Sequence, residues 1–544
     1  MKKVVGLLGT LALGSIVLAG CSGGDSTGAA AEKNMEEYKP YGKYEEPIKF
    51  TIGRSQRDLA YMPEGDTIED SPATRYLKEE TNIEAEVAWE TADLAQKLAL
   101  SISTGDLPDV MVVGEKQYKE LRDNDLLADL TEVYEKAASD NVKERIDSYG
   151  DDILKHVSED DKIYAIPTPY YYYEQTLTWL RKDWLDQLDE DLPETTEDLY
   201  NVAKKFVDND MAGNGKTVGF TLGDWVAGVF GAEFDASPIF NQYDSYPRQW
   251  IEKDGEVVYG SIQPETREVL GILSEWYKAG VLDNQFAVRS AEEREGTLTD
   301  SVGIHFAPWW SSQFAMAETI KNNPNADWVA MAGPKEDGTF QTYTGTPVVR
   351  YVVVNKKYEH PEAVMRAINN VTDFNFSLTE EAVEYRKTAF EGDTYFPWYY
   401  APIDYKLENA HANKNDYEAL KKAKDTGNAD DLPVHLKGSW ELIKQYKPGP
   451  QTDVKAWSEN SIFMEGLKAA TDEVSVYNDM AFYGTTKTMD TKWVNLKKME
   501  DEMFLKIIMG EQGLDAFDEF VKVWKSSGGD EITVEVQEEV AKLK

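Results

Sequence analysis

The sequence predicts an α/β protein, because strand-like and helix-like segments alternate in the first part of the chain. Residues 47–53 and 83–89 alternate polar and apolar side chains of β-favouring types, as strands do. Residues 71–82 and 92–103 have helical spacing, and residues 109–113 are a short apolar strand. This alternation is typical of helices that flank a sheet. The chain has 544 residues, more than the ~250–300 at which single cores stop growing, so we expect two or more domains.

Local signals place the ends of several elements. Ser71 is a candidate N-cap, since its hydroxyl can accept a hydrogen bond from a free N–H of the first turn, and Pro72 suits the first helical position. A second helix begins near Pro193, with Thr195 or Thr196 as its cap. Further on, a strand at residues 302–304 leads through a loop into a helix at residues 311–321, which continues the α/β pattern.

The N-terminus is typical of a secreted lipoprotein. Met1–Lys3 supplies positive charge, and residues 4–19 form an uncharged apolar run that is too short to span a membrane. The run ends in Leu18–Cys21, which matches a bacterial lipobox. We expect cleavage after residue 20 and a lipid anchor, a diacylglycerol with palmitate, on Cys21, at the extracytoplasmic face of the cell membrane. The alternative is an ordinary signal peptide with a chance cysteine.

Composition limits the possible functions. Cys21 is the one cysteine in the chain, so a mature protein with this residue acylated has no disulfide and no cysteine-based zinc site. The formal net charge is −42, which argues against nucleic acid as a partner. Residues 22–46 form a tether of small and polar residues, and no later segment is long and apolar enough to cross a bilayer.

Five ordered motifs resemble those of family 1 extracellular solute-binding proteins, in particular the long lipoprotein type called LplA-like or LipO-like. The resemblance covers about residues 45–535, and each motif is weak alone but specific in this order behind a lipobox. The motifs are TGDLPD within Ser103–Val110, LLADLT at Leu126–Thr131, KIYAIP at Lys162–Pro167, RKDWL at Arg181–Leu185 followed by Pro193–Leu199, and the ending from Ile507 to Ile532.

The resemblance implies a two-lobed α/β fold with a hinge and a ligand cleft between the lobes. It further implies a non-catalytic, monomeric receptor of an ABC importer, which delivers a carbohydrate, specifically an oligosaccharide, to the transmembrane subunits of a permease. The implied segments are a signal peptide (1–20), an acylated tether (21–46), lobe 1 (47–165), lobe 2 (166–300), a return to lobe 1 (301–370), and mainly lobe 2 with C-terminal helices (371–544).

A glycan cleft needs aromatic rings that stack on sugar C–H faces and polar groups that bind hydroxyls. The chain is 12% aromatic, and several aromatic clusters lie in predicted loops or in the implied lobe crossing. Each aromatic cluster could instead be core packing. In the tyrosine run 170–173, alternation turns either Tyr170 and Tyr172 or Tyr171 and Tyr173 to one face. Arg54 could be a surface charge. The candidates are Trp309, Trp310, Tyr170, Tyr172, Asp224, Trp225, Trp398 and Arg54.

No cofactor and no metal are expected. Members similar to the alginate-binding proteins carry an EF-hand-like calcium loop where this chain has residues 208–218. Asp210 and Asn214 remain as possible ligands, but each possible register of the loop lacks at least two oxygen side chains.

Three other functions remain as alternatives. A surface glycoside hydrolase would also have aromatics and paired carboxylates, but the chain has none of the G-x-S-x-G, P-loop or H-E-x-x-H motifs. An oligopeptide-binding lipoprotein has similar length and the same kind of anchor. A purely structural surface lipoprotein would leave the aromatic loops without a use.

Overall fold

A computed structural model describes residues 38–56, 62, 65–150, 153–169, 173–334, 338–389 and 400–543. The strands are β1 (Ile48–Ser55), β2 (Ile83–Thr91), β3 (Val110–Val113), β4 (Ser158–Glu159), β5 (Lys162–Ile163), β6 (Ile166–Pro169), β7 (Leu177–Arg181), β8 (Trp250–Lys253), β9 (Glu256–Tyr259), β10 (Ile304–Ala307), β11 (Trp328–Met331), β12 (Phe340–Tyr343), β13 (Val348–Val354) and β14 (Ser475–Asn478).

The α-helices are α1 (Pro72–Thr81), α2 (Leu94–Thr104), α3 (Glu115–Asp123), α4 (Thr131–Ala137), α5 (Asp140–Asp147), α6 (Lys182–Leu188), α7 (Thr196–Asp208), α8 (Ser237–Asn241), α9 (Pro264–Lys278), α10 (Ala291–Ser301), α11 (Ala315–Asn322), α12 (Pro361–Phe376), α13 (Glu380–Ala389), α14 (Ala412–Thr426), α15 (Lys437–Ile443), α16 (Val454–Asn460), α17 (Leu467–Ala470), α18 (Met489–Ile508), α19 (Asp515–Trp524) and α20 (Asp530–Leu543). Short 3₁₀ turns lie at Lys155–Val157, Gly260–Ile262, Phe286–Val288, Ser311–Gln313 and Val434–Leu436, and π-helical turns at Ser461–Gly466 and Lys525–Gly529.

Lobe 1 is built on a five-stranded sheet in the order β2-β1-β3-β13-β6. β1 is parallel to β2 and β3, whereas β13 runs antiparallel to β3 and β6. All four residues of β3 are buried, as expected of a strand covered on both faces. Helix α12 packs on α1, α4 and α5, and its largely buried surface closes one side of this core.

Lobe 2 is built on a three-stranded sheet in the order β10-β7-β11, in which both outer strands run antiparallel to β7. Its core joins helices from the middle and the end of the chain, since α9 packs on α18 and α18 on α19. Large buried side chains such as Phe206, Phe220 and Phe504 fill it. The C-terminal third of the chain therefore contributes to the lobe 2 core, in which burial of apolar surface supplies most of the stabilisation.

The structure corrects the segment boundaries that the sequence analysis gave. Residues 301–370 were expected to return to lobe 1 as one piece, but β10 and β11 pair with β7 in lobe 2, and the return begins at β13. Strand β6, placed at the start of the lobe 2 segment 166–300, pairs with β13 in lobe 1. After α12 the chain stays in lobe 1 as far as residues 403–407, which enter its core, although 371–544 was assigned mainly to lobe 2.

The chain passes between the lobes in several places. It leaves lobe 1 after β6 and enters lobe 2 at β7, and it goes back between β11 and β13. A further crossing follows Ala410, whose N–H donates to Ser148 Oγ of lobe 1 at 2.8 Å. The next helix, α14, packs on the π-helical turn at residues 461–466, which contacts β11 of lobe 2. Multiple crossings of this kind form the hinge of a two-lobed molecule.

None of the helices in the described ranges has the length and apolar character needed to cross a membrane.

Candidate ligand-binding site

One edge of the lobe 2 sheet gathers the polar and aromatic residues of the site. Because β10 and β11 run antiparallel to β7, the start of β7 lies beside the ends of both neighbours: Leu177 pairs with Ala307, and Thr178 with Met331. Residues just before β7 therefore meet residues just after β10. This places Glu174 next to residues 308–313, called here the tryptophan turn.

Glu174 binds both tryptophans of that turn. The indole Nε1 of Trp309 donates to Oε1 of Glu174 at 3.2 Å, and Nε1 of Trp310 donates to Oε2 at 3.2 Å. Both rings are half-buried, and Trp310 also packs edge-on against the exposed ring of Phe314, with centroids 5.5 Å apart. Two indole rings and one carboxylate thus form a single polar–aromatic cluster at the lobe crossing.

The tryptophan turn is hydrogen-bonded to α16 and packs against the π-helical turn that follows it. Ser312 Oγ donates to the carbonyl of Ser458 at 3.2 Å, and Ser458 Oγ donates to the carbonyl of Ser312 at 2.9 Å. The backbone of Trp309 lies so close to Gly466 that an added Cβ would collide with its carbonyl oxygen. The turn is therefore held in place by parts of the chain about 150 residues away in sequence.

Charged groups of lobe 1 act electrostatically on this edge. Burial raises the pKa of Glu174 to about 7, the two indole N–H groups oppose that rise, and the negative charge of Glu408 adds to it. Burial also raises the pKa of Glu408 and lowers that of Lys406. Both of these residues remain partly accessible to solvent, and they follow residues of the lobe 1 core. The charge of Glu408 therefore acts on Glu174, and the charge of Lys406 acts on Glu408.

The loop at residues 224–234 borders the same edge. The N–H of Phe234 donates to the carbonyl of Phe306 in β10 at 2.7 Å, and Glu233 Oε1 lies 3.7 Å from Nε2 of His305. Asp224 is exposed. Trp225 is half-buried and lies under the guanidinium of Arg294, 5.2 Å from its ring centroid.

Backbone conformation in this loop is unusual. Val226 and Phe234 have φ of 63° and 61°, a left-handed conformation that is uncommon for β-branched and bulky residues. Arg248 supports it, since Nε donates to the carbonyl of Ala227 and Nη2 to that of Trp225, both at 2.9 Å. Such conformations persist where surrounding contacts over-determine them, and they concentrate at ligand sites.

The structure contradicts one candidate. Arg54 was proposed to face the ligand, with a surface charge as the alternative, but its side chain is 0% exposed. Nη1 donates to the carbonyl of Ala401 at 3.0 Å, and Nε lies 3.2 Å from Glu90. A charge in this position is a tie inside lobe 1, because burial requires that it be paired.

Four further predictions concern residues outside the described ranges. They are Cys21 as the lipid attachment site, and Tyr170, Tyr172 and Trp398 as ligand contacts. These stay predictions, as does contact of Asp224, Trp225, Trp309 and Trp310 with a ligand.

The calcium-like loop is closed by its own hydrogen bonds. Asp210 accepts from the N–H of Gly215 at 2.9 Å and from Thr217 Oγ1 at 2.8 Å, while Asn214 Nδ2 donates to Ser301 Oγ at 3.2 Å. These donors hold the pKa of Asp210 below its ordinary range. Across the described ranges, no three His, Cys, Asp or Glu side chains lie close enough together to hold a metal ion.

A separate polar cavity of about 630 Å³ lies beside that loop, on lobe 2. Its walls include Lys216, Asp300 and Arg289, and the last of these is paired with Asp283 at 2.5 Å. It shares no lining residue with the tryptophan turn. We therefore place the site in the cleft, where aromatic rings and carboxyl groups converge, and not in this cavity.

Sequence reasoning missed Lys406, Glu408 and the role of Glu174 as the partner of both tryptophans. Glu174 directly follows the four tyrosines 170–173, and its position just before a strand was the available signal. That signal identifies no partner, because the tryptophans lie 135 and 136 residues further along the chain. Lys406 and Glu408 flank an apolar residue in a segment with no motif.

Two lobes joined by several crossings, with a polar–aromatic edge between them, define a two-lobed solute-binding protein. The chain belongs to the bacterial extracellular solute-binding protein family, whose family model matches residues 60–373. Members of this family bind solutes and are not enzymes.

Individual relatives match a larger share of the chain than the family model does. The chain is 22% identical to the polygalacturonan/rhamnogalacturonan-binding protein YtcQ of Bacillus subtilis, over 98% of each chain. It is 23% identical to lipoprotein LipO of the same organism, over 85% of this chain and 87% of LipO. The S. pneumoniae ABC-transporter substrate-binding protein FusA, solved as an EF-hand mutant with fructo-nystose, has the same fold: TM-score 0.59 at 15% identity, over 91% of this chain and 99% of FusA.

Proposed function

We propose that this protein is the lipid-anchored, extracytoplasmic receptor of an ABC importer and that it captures an oligosaccharide. The observation that carries the proposal is the pair of half-buried indole rings, Trp309 and Trp310, bound to one carboxylate at the crossing between the lobes. Aromatic rings at a lobe crossing, beside groups that can bind hydroxyls, suit a polyol with apolar C–H faces.

The walls of the cleft fit hydroxyl recognition. A carboxylate accepts hydrogen bonds at two oxygens and an ammonium group donates three, so Glu408 and Lys406 can bind neighbouring hydroxyls of a sugar ring. Burial shifts the pKa of both groups towards the neutral form, so the hydrogen bonds that ligand hydroxyls add would stabilise their charged forms. A ligand that touches Glu174 of lobe 2 and Glu408 of lobe 1 would hold the lobes together.

The relatives support the ligand class and the anchor. YtcQ is named for binding polygalacturonan and rhamnogalacturonan, and FusA was solved with a fructooligosaccharide. LipO is named a lipoprotein, in agreement with a lipid on Cys21. Anchored in this way, the receptor would stay close to the permease subunits to which it delivers its ligand.

The test is a calorimetric titration of the full chain, purified in mild detergent, with oligogalacturonides, nystose and short peptides as separate ligands. We expect saturable binding of one of the two glycans, and no fall in that glycan on prolonged incubation with the protein. Trp310→Ala should weaken it by about tenfold or more, because central aromatic contacts carry much of an interface's energy. Trp493→Ala is the matched control, since this half-buried ring packs on Trp250 and Trp524.

Binding of the peptides alone would contradict the sugar assignment. Loss of the glycan during incubation would identify a hydrolase and contradict the transport role. Equal losses of affinity in Trp310→Ala and Trp493→Ala would contradict the placement of the site at the tryptophan turn.

A further inference from the structure

We propose that Glu174 is a positioning residue: its carboxylate sets the rings of Trp309 and Trp310 as one rigid surface on which the ligand stacks. That the ligand is a sugar rests on the proposed function, whereas the positioning rests on the geometry. Each indole Nε1 donates to a different oxygen of the same carboxylate, and both N···O distances are 3.2 Å. A shared acceptor couples the orientations of the two rings.

The coupling has a consequence for specificity. A tryptophan side chain has two rotatable bonds, and a hydrogen bond from Nε1 restrains both, so the rings are ordered before the ligand arrives. Their N–H donors are already committed to Glu174. The rings of Trp309 and Trp310 therefore offer a ligand their apolar surfaces and no hydrogen-bond donor, and they select by the shape of its C–H faces.

The neighbours of Glu174 on both sides hold the carboxylate in place. Tyr173 has a φ of 66°, uncommon for a bulky residue, and its ring packs edge-on against Tyr477 with centroids 5.0 Å apart. The phenol of Tyr477 in turn donates to the carbonyl of Ala470 at 2.7 Å. On the other side, Gln175 Nε2 lies within 3.5 Å of that carbonyl. This support is typical of residues that orient a site.

Among the described residues, the titratable groups that interact with Glu174 are Glu408 from lobe 1 and Tyr477 from β14. Burial and Glu408 raise the pKa of Glu174 to about 7, while burial keeps that of Tyr477 well above its ordinary value, so the phenol stays neutral. Glu174 therefore changes between its protonated and ionised forms near neutral pH. Protonation removes the charge that strengthens both bonds to the indoles.

The first test needs no ligand. The full chain is labelled with ¹⁵N-tryptophan, and the indole resonances of the two residues are assigned with Trp309→Phe and Trp310→Phe. We expect both resonances to shift together between about pH 5 and 9, with one midpoint near 7. In Glu174→Gln neither should titrate in this way. In Glu408→Gln both should still titrate, with a lower midpoint, because a neighbouring negative charge is gone.

Two more variants complete the design. Glu174→Asp keeps the charge on a shorter side chain that cannot reach both indoles, so one resonance should stop following the titration. Asp327→Asn is the matched control, since Asp327 accepts from the indole of Trp457 at 3.4 Å. It should move the Trp457 resonance and leave the other two unchanged.

The second test is binding of nystose and of oligogalacturonides, and we expect Glu174→Gln to weaken the bound glycan by about tenfold and Asp327→Asn to leave it unchanged. Resonances of Trp309 and Trp310 that ignore Glu174→Gln, or that titrate with separate midpoints, would overturn the positioning role. If the resonances behave as expected and neither glycan binds, the sugar assignment fails and the positioning stands. If a glycan binds equally well to the wild type and to Glu174→Gln, the sugar assignment stands and the positioning role of Glu174 fails.

Discussion

The hydrogen-bond partners of two enclosed glutamates, Glu500 and Glu174, distinguish a structural residue from a residue of the ligand site. Glu500 is fully buried in lobe 2 and accepts from Tyr259 Oη at 3.0 Å and from Ser261 Oγ at 2.8 Å, with Arg248 at 3.9 Å. Its partners belong to the same core. Glu174 instead stays partly open, and within the described part of the chain its carboxylate bonds the indoles of Trp309 and Trp310, which border the cleft, so it has a role that core packing does not require.

A substitution of Arg54 tests whether this single residue stabilises lobe 1. Arg54→Met keeps most of the apolar stem but leaves the carbonyl of Ala401 and the charge of Glu90 without their partner. We expect it to lower the free energy of unfolding by about 2–4 kcal/mol, measured by urea denaturation. Glycan affinity should not change, because the side chain is not accessible.

Arg75→Met is the control for that variant. Arg75 pairs with Asp66 and Asp70 at the surface, where its side chain is 40% exposed, and its loss should cost less than about 1 kcal/mol. Equal effects of the two substitutions would contradict the interpretation of Arg54 as an internal tie.

Among the elements, features that depend on neighbours in sequence were predictable. Ser71 caps α1 by accepting from the N–H of Thr74 at 3.2 Å, and Thr195 caps α7 in a capping box with Asp198, which decides between the two threonines. Strands β1, β2 and β3 also lie where the apolar pattern predicted them. These features depend on interactions between residues that are close in sequence, so a short segment is enough to predict them.

The site was less predictable because it depends on strand pairing. That Glu174 meets the tryptophan turn follows from the antiparallel pairing of β7 with β10, which is about 125 residues further along the chain. Residue spacing does not encode that pairing. The pairing of both β10 and β11 with β7 also keeps these strands in lobe 2, against the predicted return of residues 301–370 to lobe 1. The existence of a crossing near residue 169 came from the family resemblance, which implied that lobe 2 begins at residue 166, whereas β6 keeps residues 166–169 in lobe 1.

The loop at residues 208–218 supports a prediction about calcium. Its own N–H and hydroxyl groups already occupy the carboxylate of Asp210, and the ligand set for an ion is incomplete. We expect the same melting temperature in calcium and in EDTA. Thr217→Val, which removes one donor to Asp210, should lower the melting temperature equally in both. A calcium-dependent rise in the wild type that Asp210→Asn abolishes would show that the loop binds the ion.

For the whole molecule, the acidic composition and the enclosed carboxyls together set how stability depends on pH. The formal net charge of −42 at pH 7 opposes the compact state, and it becomes smaller as the pH falls. Burial raises the pKa of Glu174, Glu408 and Glu500 above their ordinary value of 4.5. A group of this kind stabilises the fold fully below its unfolded pKa, and that contribution is lost as the pH rises through its folded pKa, about 7 for Glu174.

Groups with a lowered pKa set the acid limit. Lys78 and Lys49 lower the pKa of Glu84 to about 2, so its contribution is present above the unfolded value and is lost as the pH falls below it. The contribution of the raised groups decreases between about pH 4.5 and 7, and that of the lowered groups decreases below about pH 4.5, so together they place the maximum stability near pH 4.5. We therefore expect the ligand-free chain to melt at a higher temperature at about pH 5.5 than at about pH 8, measured by scanning calorimetry. Glu174→Gln should reduce that difference, because it removes the charge that forms near neutrality. A melting temperature that rises steadily up to pH 8 in the wild type would mean that the enclosed carboxyls do not govern its stability.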